Sequence, residues 1–185
     1  KIATDMVEEG LIDEKTAVLR IDPNQLDHLL HKHFDPKAKE AAVKEERLLG
    51  KGLPASPGSA VGRIALTADK AEEMAADKGA APVILVREET TPEDIGGMAA
   101  AKGILTSRGG MTSHAAVVAR GMGKTCVAGC GAVQPIPRDK KVKIAGKTFK
   151  EGDTISIDGS AGEVFEGEIA LIEPEVSGAF ASLMK

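Results

Sequence analysis

Two spacings of hydrophobic residues divide the chain into two parts. Residues 1–49 place apolar side chains at three- and four-residue intervals among many charged ones, which is typical of amphipathic helices. From residue 50 onward, short aliphatic runs alternate with alanine-rich amphipathic stretches, the pattern of alternating strands and helices. We therefore predict a helical connector over residues 1–49, an α/β domain over 50–175 and the start of a further linker over 176–185.

Within the second part, the pattern predicts four strands joined by three helices. The strands are RIALT (63–67), PVILVR (82–87), GILTS (103–107) and TCVAG (125–129), and the helices are 68–80, 91–103 and 113–122. This alternation is typical of parallel strands linked by crossover helices. After residue 140, short runs separated by glycine turns indicate antiparallel hairpins, so we expect a mixed sheet.

Composition excludes several function classes. Aromatic residues make up 2% of the chain, with no Trp or Tyr, and the net charge is −4. Nucleic-acid binding modules use exposed aromatics and a basic surface, so we expect no nucleic-acid partner.

We find no apolar run of membrane-spanning length and no signal peptide, which favours a cytoplasmic location, with a plastid or another organelle as the alternative. Because the first residue is Lys1, we expect a piece of a longer protein.

A gap in the acidic residues is the most informative feature. Asp and Glu number 28 in 185 residues, yet none falls among the 44 positions from Ile95 to Arg138, where that frequency would place about seven. The same stretch keeps five cations. Burial would remove both signs of charge, whereas removal of carboxylates alone indicates a surface that meets an anion.

The starts of two predicted helices differ in their acidic residues, and the helix inside the acid-free stretch has none in its first turn. At TTPEDI, Glu93 and Asp94 would offset the positive end of the helix. At MTSHAAVV, the hydroxyls of Thr112 and Ser113 can cap the helix, but its first turn holds His114 and alanines. The free N–H groups at this helix start are therefore available to a phosphate.

A histidine at such a position suits nucleophilic chemistry. A helix N-terminus disfavours imidazolium, so a neutral ring nitrogen stays available for attack, and the same N–H groups would stabilise an attached phosphoryl group. Gly109 and Gly110 leave the approach open, and Arg108 can pair with a phosphate. The hydroxyl of Thr112 or Ser113 can bond the second ring nitrogen or a phosphoryl oxygen.

Several candidate residues also have explanations that involve no catalysis or metal binding. A histidine at a helix start is often a capping or surface residue, and Ser113 beside His114 lacks a nearby acid to form a hydrolytic triad. The histidines of HLLHKH, at 28, 31 and 33, are spaced like zinc ligands but fit better on a solvated helix face. Cys126 and Cys130 are expected to be buried, reduced thiols.

The run LTSRGGMTSHAAVVARGMGKTCVAGCG, residues 105–131, resembles the phosphohistidine domain of the phosphoenolpyruvate-utilising enzymes. Its Gly-Gly-x-Thr-x-His-x-Ala core is a specific signature. Further similarity to the dikinase branch of this family extends over residues 1–12, 52–62, 83–98 and 152–164, and so over nearly the whole chain. The resemblance implies a swivelling β/β/α domain with a mixed sheet.

The resemblance also implies an activity. His114 would carry a phosphoryl group from an ATP- and phosphate-dependent site to pyruvate, while Thr112 matches a threonine that is a regulatory phosphorylation site in plant members. The partners would be an ATP-grasp nucleotide domain and a barrel domain of the same chain. Mg²⁺ and a monovalent cation would be bound by those domains and not by this one, and the full-length enzyme would be a homodimer.

Two alternatives stay open. The first is the equivalent domain of the synthase branch of the family. The second is a non-catalytic module that binds a phosphorylated ligand at the same helix start.

Overall fold

The computed structural model describes residues 6–7, 9–19, 31–77 and 79–173. The chain divides into two units, one made of residues 1–32 with 173–185 and the other of residues 33–172. In the first unit, helix α1 (Glu14–Leu19) begins where the Asp13 carboxylate accepts a hydrogen bond from the Thr16 N–H at 2.8 Å. The expected linker over 176–185 lies outside the described residues, as does most of the predicted helix around residues 21–30.

The second unit is built on an eight-stranded mixed sheet. Along the described residues, the strands are β1 (His33–Phe34), β2 (Leu48–Lys51), β3 (Leu53–Ser56), β4 (Ser59–Ala65), β5 (Val83–Arg87), β6 (Gly103–Thr106), β7 (Thr125–Ala128), β8 (Val133–Ile136), β9 (Lys141–Ile144), β10 (Lys147–Lys150), β11 (Thr154–Asp158), β12 (Glu163–Glu166) and β13 (Leu171–Ile172). The large sheet has the order β2-β12-β11-β4-β5-β6-β7-β3. Strands β4 to β7 are parallel, and the flanking strands are antiparallel.

Three helices connect the parallel strands. Helices α3 (Ala68–Ala76), α4 (Ile95–Ala100) and α5 (His114–Gly121) follow β4, β5 and β6 in turn, and helix α2 (Pro36–Lys44) precedes the sheet. A short 3-10 turn, Pro92–Asp94, leads into α4. All four parallel strands therefore end at the same side of the sheet, which we call the carboxyl edge.

Two hydrophobic cores lie on opposite faces of the large sheet, because successive residues of a strand point to opposite faces. Ala65, Leu85 and Ile104 pack under the helices, together with buried Ala116 of α5. Their neighbours along the strands pack instead against a three-stranded antiparallel sheet of order β10-β9-β8. The layers are thus small sheet, large sheet and helices, which confirms the expected β/β/α arrangement with a mixed sheet.

The compact unit starts earlier than the sequence indicates. It begins at His33, where β1 pairs with β13, whereas residues 1–49 were expected to form a helical connector. The predicted boundary near Leu49 falls inside β2, which pairs with β12. Leu49 is buried, and a side chain at Gly50 would meet Ala132 at 2.9 Å, so this segment is held as a strand by the sheet beneath it. His33 likewise lies in a strand and not on a helix face.

None of the helices in the described part of the chain is both long and apolar enough to cross a membrane.

Candidate active site

The loop between β6 and α5 brings His114 to the carboxyl edge. Open α/β sheets bind ligands outside the carboxyl ends of their strands, because loops from neighbouring strands meet there. Here the backbone continues the pairing of β5 and β6 past both strands, since the Arg108 N–H donates to the Glu88 carbonyl at 2.9 Å. Segments 88–91 and 107–113 therefore run side by side toward His114.

Helix α5 begins without an acidic residue in its first turn. Ser113 is the N-cap residue, and its hydroxyl accepts a hydrogen bond from the Ala116 N–H at 3.4 Å. Among the described residues, no acceptor pairs with the N–H groups of His114 and Ala115. These two donors and the positive end of the helix form a place for an anion.

The other helix start at this edge differs, as the sequence indicated. The Asp94 carboxylate accepts from the Thr91 N–H at 2.9 Å, so the 3-10 turn that leads into α4 has a carboxylate of its own at its start. Asp94 is buried and lies 3.4 Å from the Arg87 guanidinium. This helix start is filled by the chain, whereas that of α5 is open.

Thr90 holds the imidazole of His114. Its hydroxyl oxygen lies 3.0 Å from Nδ1 of His114, and Thr90 itself is buried. When Nδ1 carries the proton and donates to Thr90, the lone pair is at Nε2. The ring is half-exposed, and Nε2 has no hydrogen-bond partner among the described residues.

The sequence did not single out Thr90. The sequence left open whether the hydroxyl of Thr112 or Ser113 bonds the ring nitrogen or a phosphoryl oxygen. In the structure Ser113 caps the helix and Thr112 is exposed without a bond to the ring, so the contact with a phosphoryl oxygen stays a prediction. Thr90 lies 24 positions away in the chain and reaches His114 because β5 and β6 are neighbours in the sheet. The signal available was its position just after a predicted strand, since the ends of parallel strands share one edge.

Three glycines shape the loop. Gly109 has a φ of +105°, in the left-handed region that favours glycine, and a side chain there would meet the Cβ of Ser113 at 2.9 Å. A side chain at Gly110 would point into open space. Gly129, at the end of β7, also has a positive φ, and a Cβ there would lie 2.5 Å from the Gly109 carbonyl oxygen. Gly129 thus permits the loop to rest on β7.

Arg108 has a carboxylate partner. Its guanidinium lies 2.9 Å from Glu88, and both side chains are largely exposed. These two residues line a groove with Glu89, Pro135 and Pro137. The segment 95–138 contains no acidic residue, but the folded structure places one beside it, because Glu88 directly follows β5 and contacts Arg108. The predicted pairing of Arg108 with a phosphate stays a prediction.

The other candidate chemistry finds no support in the described residues. No group of three or more His, Cys, Asp and Glu side chains there could hold a metal ion. His28 of the zinc-like spacing lies outside the described residues. Cys126 and Cys130 are buried free thiols, as expected, and burial raises the pKa of Cys126 to about 12.

Comparisons with known proteins agree with this arrangement. The family model for "PEP-utilising enzyme, mobile domain" matches residues 79–162. Over its whole length, the chain is 54% identical to pyruvate, phosphate dikinase of Rhizobium meliloti (strain 1021) and 53% identical to that of Clostridium symbiosum. It is 50% identical to the chloroplastic pyruvate, phosphate dikinase of Mesembryanthemum crystallinum.

The chain spans about a fifth of the length of these relatives, namely 20%, 20% and 19%. The matched residues include the candidate loop, His114, Thr90 and four of the eight strands of the large sheet, β5, β6, β7 and β11. The chain therefore belongs to the PEP-utilising enzymes and contains their mobile domain.

Proposed function

We propose that this domain is a phosphohistidine carrier, in which Nε2 of His114 accepts and donates a phosphoryl group. The observation that supports the proposal is the 3.0 Å contact between Nδ1 of His114 and the Thr90 hydroxyl. A nucleophilic imidazole needs its proton on one nitrogen and its lone pair on the other. In the proposed state the Thr90 hydroxyl oxygen accepts the proton of Nδ1, which leaves the lone pair at Nε2.

The transfer step balances within this arrangement. Nε2 attacks the phosphorus atom, an Nε2–P bond forms, and the P–O bond to the leaving group breaks with both electrons going to that oxygen. Nδ1 keeps its proton and its hydrogen bond to Thr90. The reverse step returns the phosphoryl group to an acceptor oxygen and restores the neutral ring.

The start of α5 supplies the phosphate-binding part of the site. The unpaired N–H groups of His114 and Ala115 can donate to oxygens of the bound phosphoryl group, with further donors from Ser113, Thr112 and the backbone of Gly109 and Gly110. Arg108 would add a charge-assisted contact after it leaves Glu88. The absence of a carboxylate from the first turn of α5 removes a competing anion.

For the full-length protein we propose the dikinase reaction, in which ATP, phosphate and pyruvate give AMP, pyrophosphate and phosphoenolpyruvate reversibly. An ATP-grasp domain and a barrel domain of the same chain would supply the two reaction sites. Those domains would bind Mg²⁺ and a monovalent cation, and no step in this domain is assigned to a metal, since its described residues offer no ligand cluster. A homodimer in the cytoplasm, or in a plastid, completes the proposal.

We also propose Thr112 as a regulatory phosphorylation site. Its side chain is exposed two positions before His114. A phosphate on Thr112 would place about two negative charges in front of the ring and repel a phosphoryl donor.

Labelling tests the carrier. In the full-length protein, ³²P-labelled phosphoenolpyruvate should label His114 with a phosphate that is lost in acid and kept in base. His114→Asn should carry no label, whereas the matched control His31→Asn, in the other unit of the chain, should be labelled like the unaltered protein. Label retained in His114→Asn, or label stable in acid, would contradict the proposal.

The same variants distinguish the alternatives. A non-catalytic phosphate-binding module would keep its affinity for phosphate compounds in His114→Asn, as measured by calorimetry, and would show no label in either protein. A synthase would release free phosphate as co-product, whereas the proposed dikinase forms pyrophosphate. The whole-chain similarity to dikinases favours the second product.

A further inference from the structure

The outer surface of the small sheet carries three lysines on one face. In β9, Val142 and Ile144 are buried against the large sheet, so Lys141 and Lys143 point the other way. In β10, Phe149 is buried, and Lys150 points outward beside them. We call Lys141, Lys143 and Lys150 the lysine face.

The fold supplies little counter-charge to this face. Lys150 lies directly opposite Lys141 in the strand register, and Lys143 is diagonal to it. Lys141 has Asp139 at 3.6 Å, but neither Lys143 nor Lys150 forms an ion pair with a carboxylate among the described residues. Like charges opposite each other destabilise a sheet. By contrast Lys147, whose side chain is on the other side of β10, has Glu166 at 2.6 Å.

Protection of a sheet edge does not account for these lysines. Lysines on an exposed edge strand discourage pairing with other chains. That reason applies to Lys150, since β10 is an edge of the small sheet, but β9 is its central strand and carries the other two lysines. A solvent-facing position on a central strand needs no such protection.

The lysine face adjoins the carboxyl edge where His114 lies. Pro135 in β8 and Pro137 in the turn that leads into β9 line the same groove as Arg108 and Glu88. At the end of β10, the Glu151 carboxylate accepts from the N–H of Leu66, which directly follows β4, at 3.1 Å. The Lys141–Lys150 end of the small sheet is therefore held at the edge that carries the candidate active site.

We propose that the lysine face docks onto a carboxylate-rich surface of another domain of the full-length protein and so orients His114 toward that domain's reaction site. The inference rests on the proposed carrier function, which requires the domain to meet other domains with its carboxyl edge. Charge complementarity selects the partner, because Lys143 and Lys150 have no carboxylate partner among the described residues, and such cations are matched best by an acidic protein surface.

Charge-removing variants of the full-length protein test the docking. In Lys141→Gln/Lys143→Gln/Lys150→Gln, we expect at least one of the two transfers to His114, from phosphoenolpyruvate or from the nucleotide side, to slow about tenfold at low ionic strength. The salt dependence of that rate should weaken as well. The arginine triple variant keeps the charges and should keep the rate.

The matched control removes three exposed lysines elsewhere, at Lys37, Lys44 and Lys102, and should leave both rates unchanged. Phosphoramidate, a small phosphoryl donor that needs no docking, should label His114 equally in all variants. That measurement shows that the ring stays reactive in every variant. The two proposals are separated by phosphoenolpyruvate, because a failed carrier function would leave His114 of the unaltered protein unlabelled by that donor.

Three results would overturn the docking proposal. The first is an unchanged rate of both transfers in the glutamine variant. The second is an equal loss in the lysine control. The third is a change confined to self-association, measured by sedimentation, or to retention on nucleic acid, which would assign the lysine face to a second copy or to a polynucleotide.

Discussion

At the residue scale, the chemistry of the site depends on one pair of side chains. His114 supplies the ring, and the Thr90 hydroxyl lies 3.0 Å from its Nδ1; in the carrier we propose, Nδ1 donates its proton to that hydroxyl oxygen. Neither residue is distinctive alone, because a threonine after a strand and a histidine at a helix start are both common. Their contact gives them a shared role, since a hydrogen bond at Nδ1 determines the state of Nε2.

Replacing Thr90 tests this role. In Thr90→Val, Nδ1 loses its oxygen partner at nearly constant side-chain volume, and we expect labelling of His114 to slow about tenfold to a hundredfold, corresponding to about 1–3 kcal/mol. Thr90→Ser keeps the hydroxyl and should restore most of the rate. ¹⁵N NMR of the ring should show the Nε2–H form gaining population in the valine variant alone.

A structural role by itself would give a different result. If Thr90 served to fill space, the valine variant would label normally and the tautomer would not change. Thr154→Val, at a half-buried position of β11 outside the loop and the lysine face, is the matched control and should change neither quantity.

At the scale of elements, the active loop depends on a close approach to β7. The Gly109 carbonyl approaches Gly129 closely because Gly129 has no side chain, and a Cβ at position 129 would lie 2.5 Å from the Gly109 oxygen. Helix α5 begins in its observed orientation because this loop is seated there and Ser113 caps the first turn.

Gly129→Ala should therefore displace the loop. The new Cβ would lie 2.5 Å from the Gly109 oxygen on a backbone with φ of +64°, so we expect a loss of about 1–3 kcal/mol in the free energy of unfolding. Labelling of His114 should slow as the N–H groups of α5 move. Urea denaturation and the labelling rate measure the two effects.

Gly131→Ala is the matched control, because a side chain at Gly131 meets nothing within 4 Å and its φ is not left-handed. Its unfolding free energy should change by less than about 0.5 kcal/mol. Equal effects of the two variants would exclude the close approach as the cause.

At the scale of the whole molecule, a cluster of charges fixes helix α2 to the large sheet. The Lys39 ammonium lies 2.6 Å from Asp158 and 2.7 Å from Glu163, and it also lies over the ring of Phe165. Lys51 approaches Glu163 at 3.1 Å. Burial opposes ionisation of Glu163, but the hydrogen bonds from Lys39 and Lys51 outweigh it, so the pKa of Glu163 lies below its usual 4.5.

This cluster makes stability depend on pH. Because the folded protein holds the pKa of Glu163 below the unfolded value, the stabilisation is present above pH 4.5 and is lost as the pH falls through the lowered value. Lys39→Met should reduce the unfolding free energy by about 1–2 kcal/mol at pH 7. Its deficit relative to the unaltered protein should shrink between about pH 5 and pH 3.

Lys37→Met lies on the same helix at an exposed position and serves as the control. Urea denaturation across the pH range measures all three proteins. A deficit of Lys39→Met that stays constant down to pH 3 would contradict the assigned role of Glu163.

The residues by themselves indicated the mixed α/β fold, the helix that begins at His114 and that histidine as the candidate nucleophile, whereas the layered β/β/α arrangement was implied by the family resemblance. The features read from the residues depend on short segments of the chain. Examples are the spacing of apolar residues, the Ser113 cap and the first turn of α5, which has no acidic residue. The same local logic misplaced the start of the compact unit, since the strand at Leu48–Lys51 forms because β12 lies beside it.

Tertiary structure alone decided which distant groups meet at the site. Thr90 reaches His114, Glu88 reaches Arg108 and Gly129 reaches Gly109 because parallel strands end at one edge and bring separate loops together. The lysine face likewise emerges when β9 and β10 pair in their observed register. Such contacts depend on strand order and register, which the spacing of residues within any one segment does not specify.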